Sequence, residues 1–312
     1  VPIGERYGAV ARVALFLALA ASLSLAGAGC GTATGARPTT SAKPMLVVSS
    51  IDTWGSILGQ LGGARVTEVS IVSSPEVDSR HYRPTRAELR TIAAARVLVV
   101  NGIGYDQWAT AAARAHPSSS RVLVDVGSLV GPGAGGNPHQ AYSRTSVGLV
   151  VDAVTRALQR ADPADRQYFS TRRARFEMSG LGPLRALESA IRQKYAGEPI
   201  GASSAVAEPL ASSLDLKLVT PLSFVNAIAT GNTPSPADLA TMNEQISDHR
   251  IRVYLDDVQH STPEVVAEVR AAEKADVPVV TLTETLSPKD ATFQAWQVQQ
   301  LTALRTALQQ KS

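Results

Sequence analysis

The sequence predicts an α/β protein built as two parallel-sheet lobes joined by a long helix. Short valine-rich apolar runs alternate with helical patterns between Met45 and Val126. A purely helical stretch follows, and the alternation returns after Gly197. Strands that alternate with helices pair in parallel and are covered on both faces. The 312 residues suffice for two domains, and 44% hydrophobic with 18% charged residues is the balance of a folded globular chain.

Each element has its own signal. Met45–Ser49 reads as a short buried strand, and Thr53–Leu61 as a helix stopped by Gly62-Gly63. Thr67–Val72 is the next strand, followed by a polar loop to Pro84. Thr85-Arg86-Ala87-Glu88 is a capping box, in which the threonine hydroxyl and the glutamate carboxylate each satisfy a free helix N–H, and it opens a helix to about Ala95. Val97–Val100 and Val122–Val126 are strands flanking a helix that contains Trp108. Thr145–Gln159 is amphipathic. Asp162-Pro163 supplies an N-cap and a first-turn proline for a further helix towards Tyr195, kinked at Gly180, Gly182 and Pro183. Ile200–Ser204, Val253–Asp257 and Val277–Leu282 are the strands of the second half. Ser235-Pro236 and Thr262-Pro263 open helices there.

The N-terminal residues follow a different logic. Arg6 and Arg12 precede an apolar run from Val13 to Ala26, then Gly27-Ala28-Gly29 and Cys30, the single cysteine. A positive start, a short apolar run and a small-residue exit form a secretory signal, too short for a permanent span. With one cysteine there is no intrachain disulfide, and Cys30 stands where a lipoprotein signal is cut. Gly31 to Pro44 has the composition of a flexible tether. The expected organisation is a signal at 1–29, a tether at 30–44 after a lipidated Cys30, an N-terminal lobe at 45–142, a helical segment at 143–196 and a C-terminal lobe at 197–312.

Several functions are disfavoured. A net charge of +3 with dispersed lysines and arginines argues against a nucleic-acid partner. The G-x-G-x-x-G pattern at 131–136 contains Pro132 and runs into Asn137-Pro138-His139, so it lacks the helix a dinucleotide phosphate needs. Of the five histidines, His81 and His139 lie in polar loops after predicted strands, where α/β proteins collect ligands. Glu208 and Glu284 follow strands in the second half, and a carboxylate in such a turn is costly unless paired or metal-bound. His116 and His249 are assigned to helix ends, and His260, after Asp256-Asp257, to a structural or solvated role at the cleft rim. Trp54, Tyr105 and Trp108 are assigned to the core. Spacing alone leaves each loop residue open between ligand and solvated side chain.

The ordered set of motifs resembles the metal-binding lipoproteins of ABC importers for zinc and manganese. Val47 to Gly55 is similar to that family's first strand and turn, and Asp78 to Thr85 to its first metal motif. Asn101 to Trp108 matches its next strand and turn, and Asn137-Pro138-His139 its second metal motif. Ala207-Glu208-Pro209 stands at the third ligand and Thr283-Glu284-Thr285-Leu286 at the fourth. The resemblance runs from about Met45 to Gln309. It implies a cleft between the lobes where His81, His139, Glu208 and Glu284 hold Zn²⁺ or Mn²⁺ as transported ligand, a nitrogen and oxygen set suited to such ions. It also implies a monomer on the outer face of the cytoplasmic membrane, anchored by lipid and serving an ABC permease.

One departure falls in the first motif. Where the family reads Asp-Pro-His-x-Tyr, this chain reads Asp78-Ser79-Arg80-His81-Tyr82. Arginine has no lone pair to give a metal. Either the loop shifts by one residue so that His81 coordinates, or Arg80 stays in the cleft and the site suits an anion or a chelated metal. The alternative function is accordingly a metal-independent adhesin or chelate-binding lipoprotein on the same fold. An enzyme is not expected: Asp257 is a cleft neighbour and a conceivable base, but no helix-borne metal motif supports a metallohydrolase.

Overall fold

Strands rich in Val and Ile and hydrophobic on both faces can be buried only in a sheet layered on each side by helices. The structure, a computed structural model describing residues 43–131 and 136–310, contains two such sheets. The first lobe runs β1 (Met45–Ile51), α1 (Asp52–Gly62), β2 (Val66–Val72), α2 (Arg86–Ala94), β3 (Val97–Val100), α3 (Gln107–Ala115), β4 (Val122–Asp125) and α4 (Val126–Val130). Its sheet has the order β2-β1-β3-β4, all parallel, with Val47 opposite Glu68 and Val97. All four residues of β3 are buried, as the unbroken run Val97-Leu98-Val99-Val100 requires.

Helices α5 (Arg144–Ala161), α6 (Arg166–Arg175) and α7 (Leu181–Tyr195) connect the lobes. The kink expected at Gly180 is a π-helical turn at Phe176–Gly180 between α6 and α7. The helix expected to open at Asp162-Pro163 starts three residues later, after Asp165. The second lobe follows as β5 (Pro199–Ala202), α8 (Ala207–Leu214), β6 (Lys217–Leu218), α9 (Leu222–Ala229), α10 (Pro236–Ser247), β7 (Tyr254–Asp257), α11 (Pro263–Lys274), β8 (Val279–Leu282) and α12 (Phe293–Gln309). Its sheet repeats the first arrangement, β6-β5-β7-β8, again parallel. The capping box at Thr85 and Glu88 forms as read, and Ser235 and Thr262 cap α10 and α11.

One apolar core runs through both lobes and the helices between them, joining Trp54 and Val99 to Leu158, Ile191, Leu255 and Trp296. Polar contacts also cross between α1 and the C-terminal segment: Asp52 accepts from the Leu286 N–H, and Gln60 and Gln294 exchange hydrogen bonds. In each sheet the chain order reverses beside the first strand. The crevice for a ligand therefore lies beyond the carboxyl ends of β1 and β3 in one lobe and of β5 and β7 in the other. Among the described residues no helix is long and apolar enough to cross a membrane. The signal, Cys30, nearly all of the tether and part of the Gly131–Gly136 loop lie outside the described residues.

Candidate metal centre

The loops at these strand ends meet in a small buried cluster. The turn after β3 is tightly determined. Gly102, Ile103 and Gly104 all have positive φ, and the Asp106 carboxylate accepts from the N–H groups of Asn101 and Gly102 at 2.6 and 2.8 Å. A side chain at Gly102 would run into Asp125 Oδ1, so glycine is required there for packing as well as for φ. Ile103, a β-branched residue at φ 53°, is held by this packing. The turn delivers Tyr105 into the space between the lobes. Asn101 accepts from the Trp54 indole at 2.8 Å and donates to the Pro138 carbonyl at 3.1 Å, which ties the turn to the loop carrying His139.

His139 is buried, and its ring is oriented from behind. Nδ1 lies 2.8 Å from Asn137 Oδ1, a pure acceptor, so Nδ1 carries a proton and Nε2 faces inward. Nε2 lies 2.9 Å from Glu284 Oε1, across the interface between the lobes. The Tyr105 hydroxyl donates to the other oxygen, Glu284 Oε2, and Gln259 Oε1 accepts the Glu284 N–H. Burial alone would push the Glu284 carboxyl up. His139, then His260 and Arg80, outweigh it and hold the carboxyl well below the usual range. Burial, reinforced by Glu284, keeps the Tyr105 phenol far above its ordinary value, so Tyr105 acts as a neutral donor.

Arg80, rather than His81, points into the cluster. Asp78 caps a 3₁₀ turn at Ser79–His81 and accepts from both the N–H and the Nε of Arg80. One guanidinium nitrogen, Nη2, contacts His260 Nε2 and lies 3.7 Å from Glu284 Oε1, while the guanidinium sits over the Tyr105 ring. His81 turns outward with its side chain 86% exposed and bonds to Asp78. The one-residue shift expected for His81 is thereby corrected: a capped turn fixes which of two consecutive side chains faces inward, and it selects Arg80.

Glu208 is corrected as well. It sits in the first turn of α8, exposed, and accepts from Asn137 Nδ2 at 2.8 Å. It therefore steadies the residue that orients His139 and does not face the cluster. From the end of β5 it is Ser204 that reaches the site, donating to Asp257 Oδ2 at 2.8 Å.

Asp257 is fully buried at the end of β7, and His260 follows on a 3₁₀ turn. His260 Nδ1 lies 2.9 Å from Asp257 Oδ2 and 3.3 Å from Glu284 Oε1. His260 lines the cleft and Tyr105 lies in the core, as expected, and each in addition contributes a polar group to the cluster. The signal available was Asp257-x-x-His260 directly after a buried strand. Asp257, His260 and Glu284 offer donor atoms that lie within 4.8 Å of one another, and His139 adjoins them through Glu284. Two imidazoles with one or two carboxylates are a donor set for a borderline divalent ion such as Zn²⁺ or Mn²⁺.

The sequence matches the family described as zinc-uptake complex component A, periplasmic (ZnuA), over residues 47–307. The chain belongs to this family. Solved structures of similar fold agree with that membership. A periplasmic metal-binding protein of Candidatus Liberibacter asiaticus superposes with a TM-score of 0.70 at 18% identity, covering 85% of this chain and 99% of the other. Structures of that protein with Mn and with Cd bound are also similar. A ZnuA crystal structure gives a TM-score of 0.67 at 19% identity, over 85% and 98% of the two chains. A Treponema pallidum (strain Nichols) protein whose name describes it as metal-binding is 26% identical over 176 residues, which is 50% of this chain and 54% of that protein. The chain thus matches about half the length of that curated relative. At these identities the structural likenesses establish the ZnuA-like fold, two α/β lobes, and the chemistry rests on this chain's own residues.

Proposed function

We propose that this chain captures a divalent transition metal, zinc or manganese, outside the cytoplasm and hands it to an ABC permease. The observation that carries the reading is the meeting of His139 Nε2 and Glu284 Oε1 at 2.9 Å, from different lobes and at the carboxyl ends of both sheets. An imidazole nitrogen and a buried carboxylate held ionised converge on one point, where both can serve as ligands to an ion. Their separation into two lobes lets the site open for release. The ion is cargo, and no reaction is assigned to the site. The N-terminal signal and Cys30 support export and lipid attachment, with the chain acting as a monomer beside its permease.

Calorimetry on chelator-stripped protein with Zn²⁺ and Mn²⁺ tests this reading. We expect one ion per chain and a raised Tm at saturation, because a ligand bound only by the folded state stabilises it by mass action. His139→Ala should abolish both effects. No heat and no Tm change with either ion would overturn metal capture.

A second reading has its own observation. Arg80 and His260 line an open cleft of about 610 Å³ with Asp78, Gln107 and Gln259, and a guanidinium there favours an anion or a chelated metal. Retention of a metal chelate but not of the free ion in the same titration would favour it.

A further inference from the structure

The metal motifs of the sequence are one imidazole short where Arg80 stands, and the cluster holds an imidazole that none of those motifs contains. His260 is built like a ligand. Its Nδ1 is set against the buried Asp257 carboxylate, which is itself fixed by Ser204 Oγ at 2.8 Å and by the Gln259 N–H at 3.1 Å. A carboxylate behind one ring nitrogen fixes the tautomer and makes the opposite nitrogen the donor. His139 is arranged the same way, with Asn137 behind its Nδ1. The opposite nitrogen of His260, Nε2, faces Arg80 Nη2, which also lies 3.7 Å from Glu284 Oε1. A guanidinium N–H thus occupies the lone pair that an ion would take, beside the carboxylate that would bind the same ion.

We infer that His260 supplies the second imidazole of the metal site, with His139 and Glu284, and that the Arg80 guanidinium is a resident cation that the incoming ion displaces. Asp257 is a positioning residue: its oxygens are already engaged, and its role is to orient His260. The inference rests on the metal-capture reading above and specifies the ligand set and the competitor. On displacement Arg80 retains Asp78, its partner at 3.2 Å, and the open cleft beside both gives the guanidinium room to swing outward.

The test uses the mature chain stripped of metal, then titrated with Zn²⁺, and zinc K-edge absorption to count imidazole ligands. The parent should show two imidazoles. His260→Gln should show one and bind Zn²⁺ at least about 10-fold more weakly, the smallest loss expected for a displaced ligand. Arg80→Gln should bind about tenfold or more tightly, since it removes a positive charge from the place the ion takes. His81→Ala should match the parent in both readouts. Circular dichroism establishes that each variant is folded. Should His260→Gln fail to fold, the parent and His81→Ala decide: two imidazoles in both supports the inference, and one in either overturns it. Parent-like affinity and count in folded His260→Gln would overturn the role of His260. Weaker binding by Arg80→Gln would overturn the competitor, making Arg80 part of the ligand's own site. If the parent itself binds no Zn²⁺, or His139→Ala binds as the parent does, the metal-capture reading fails first, and the two failures are distinguishable.

Discussion

Glu284→Gln isolates what holds the buried cluster together. Glu284 is 6% exposed, and its carboxylate is the common partner of His139 at 2.9 Å, His260 at 3.3 Å, Arg80 at 3.7 Å and the Tyr105 hydroxyl. Glutamine keeps the volume and can still accept from Tyr105, so the change removes charge and little else. Breaking a buried ion pair costs about 3–5 kcal/mol, because the remaining charge loses its compensation. Arg80 keeps Asp78 and about one fifth of its side-chain exposure, which places the cost near the lower end, about 3 kcal/mol. For a domain of this size that corresponds to a Tm lower by roughly 6–12 °C. The pH dependence has a definite sign. A carboxyl whose folded pKa lies below its unfolded value stabilises the fold above the unfolded value, near 4.5, and loses that contribution as pH falls through the folded pKa. The gap between parent and variant should therefore be full at pH 7.5 and narrow steadily below pH 4.5. The assay is thermal unfolding in chelator across pH 3 to 8. Equal melting of parent and variant at pH 7.5 would refute the claim that the cluster around Glu284 is a charge-compensated unit.

Two further outcomes are expected. Glu268 on α11 is 2% exposed, its Oε2 has no partner, and burial pushes its carboxyl up to about 7; a raised carboxyl pKa gives stability that is complete below about 4.5 and lost as pH rises through 7, so Glu268→Gln should stabilise the protein at pH 8.5 by up to about 3 kcal/mol and change little at pH 4.5, as denaturant titration at the two pH values would measure. If Cys30 carries the proposed lipid anchor, Cys30→Ala should release the chain from the membrane fraction, and a variant that stays membrane-bound would remove the lipid anchor from the account.

Much of the fold was legible because its signals are local. Val97-Leu98-Val99-Val100 is a strand by its apolar run, Thr85 and Glu88 cap a helix by their spacing, and Gly180 marks the interruption between α6 and α7. Helix α9 was missed although Phe224, Val225 and Ile228 carry a helical stripe, and β6, with two residues, is too short to show any period. The site was legible only in part. His139 and Glu284 stand in motifs whose strand-end position predicts a cleft. His260 and Tyr105 gain their importance from a side chain in the opposite lobe, Arg80 for the first and Glu284 for the second, and no spacing along the chain encodes that distance. The choice between Arg80 and His81 turned on one side-chain cap, Asp78 to the Arg80 N–H at 2.9 Å, which sets the rotation of a single 3₁₀ turn.

The division of charge between the lobes connects this geometry to transport. The first lobe contributes Arg80, Tyr105 and His139, a set of donors and cationic groups. The second contributes Asp257, His260 and Glu284, where carboxylates dominate. The contacts of Arg80 with Glu284 and His260 and of His139 with Glu284 draw the lobes together across the cleft. On the proposed reading, a divalent cation would take the same carboxylate and the imidazole nitrogens, and would so replace an attraction between the lobes. Under the displacement inference, the element that must move is the Asp78–Tyr82 turn carrying Arg80. That turn lies against Trp108, whose indole donates to the Ser79 carbonyl at 2.8 Å and whose ring packs edge-on to Tyr82. On the proposed reading, displacement of Arg80 would therefore alter the surface of the first lobe beside the cleft, which is where a permease would tell a chain carrying metal from one carrying only its own arginine.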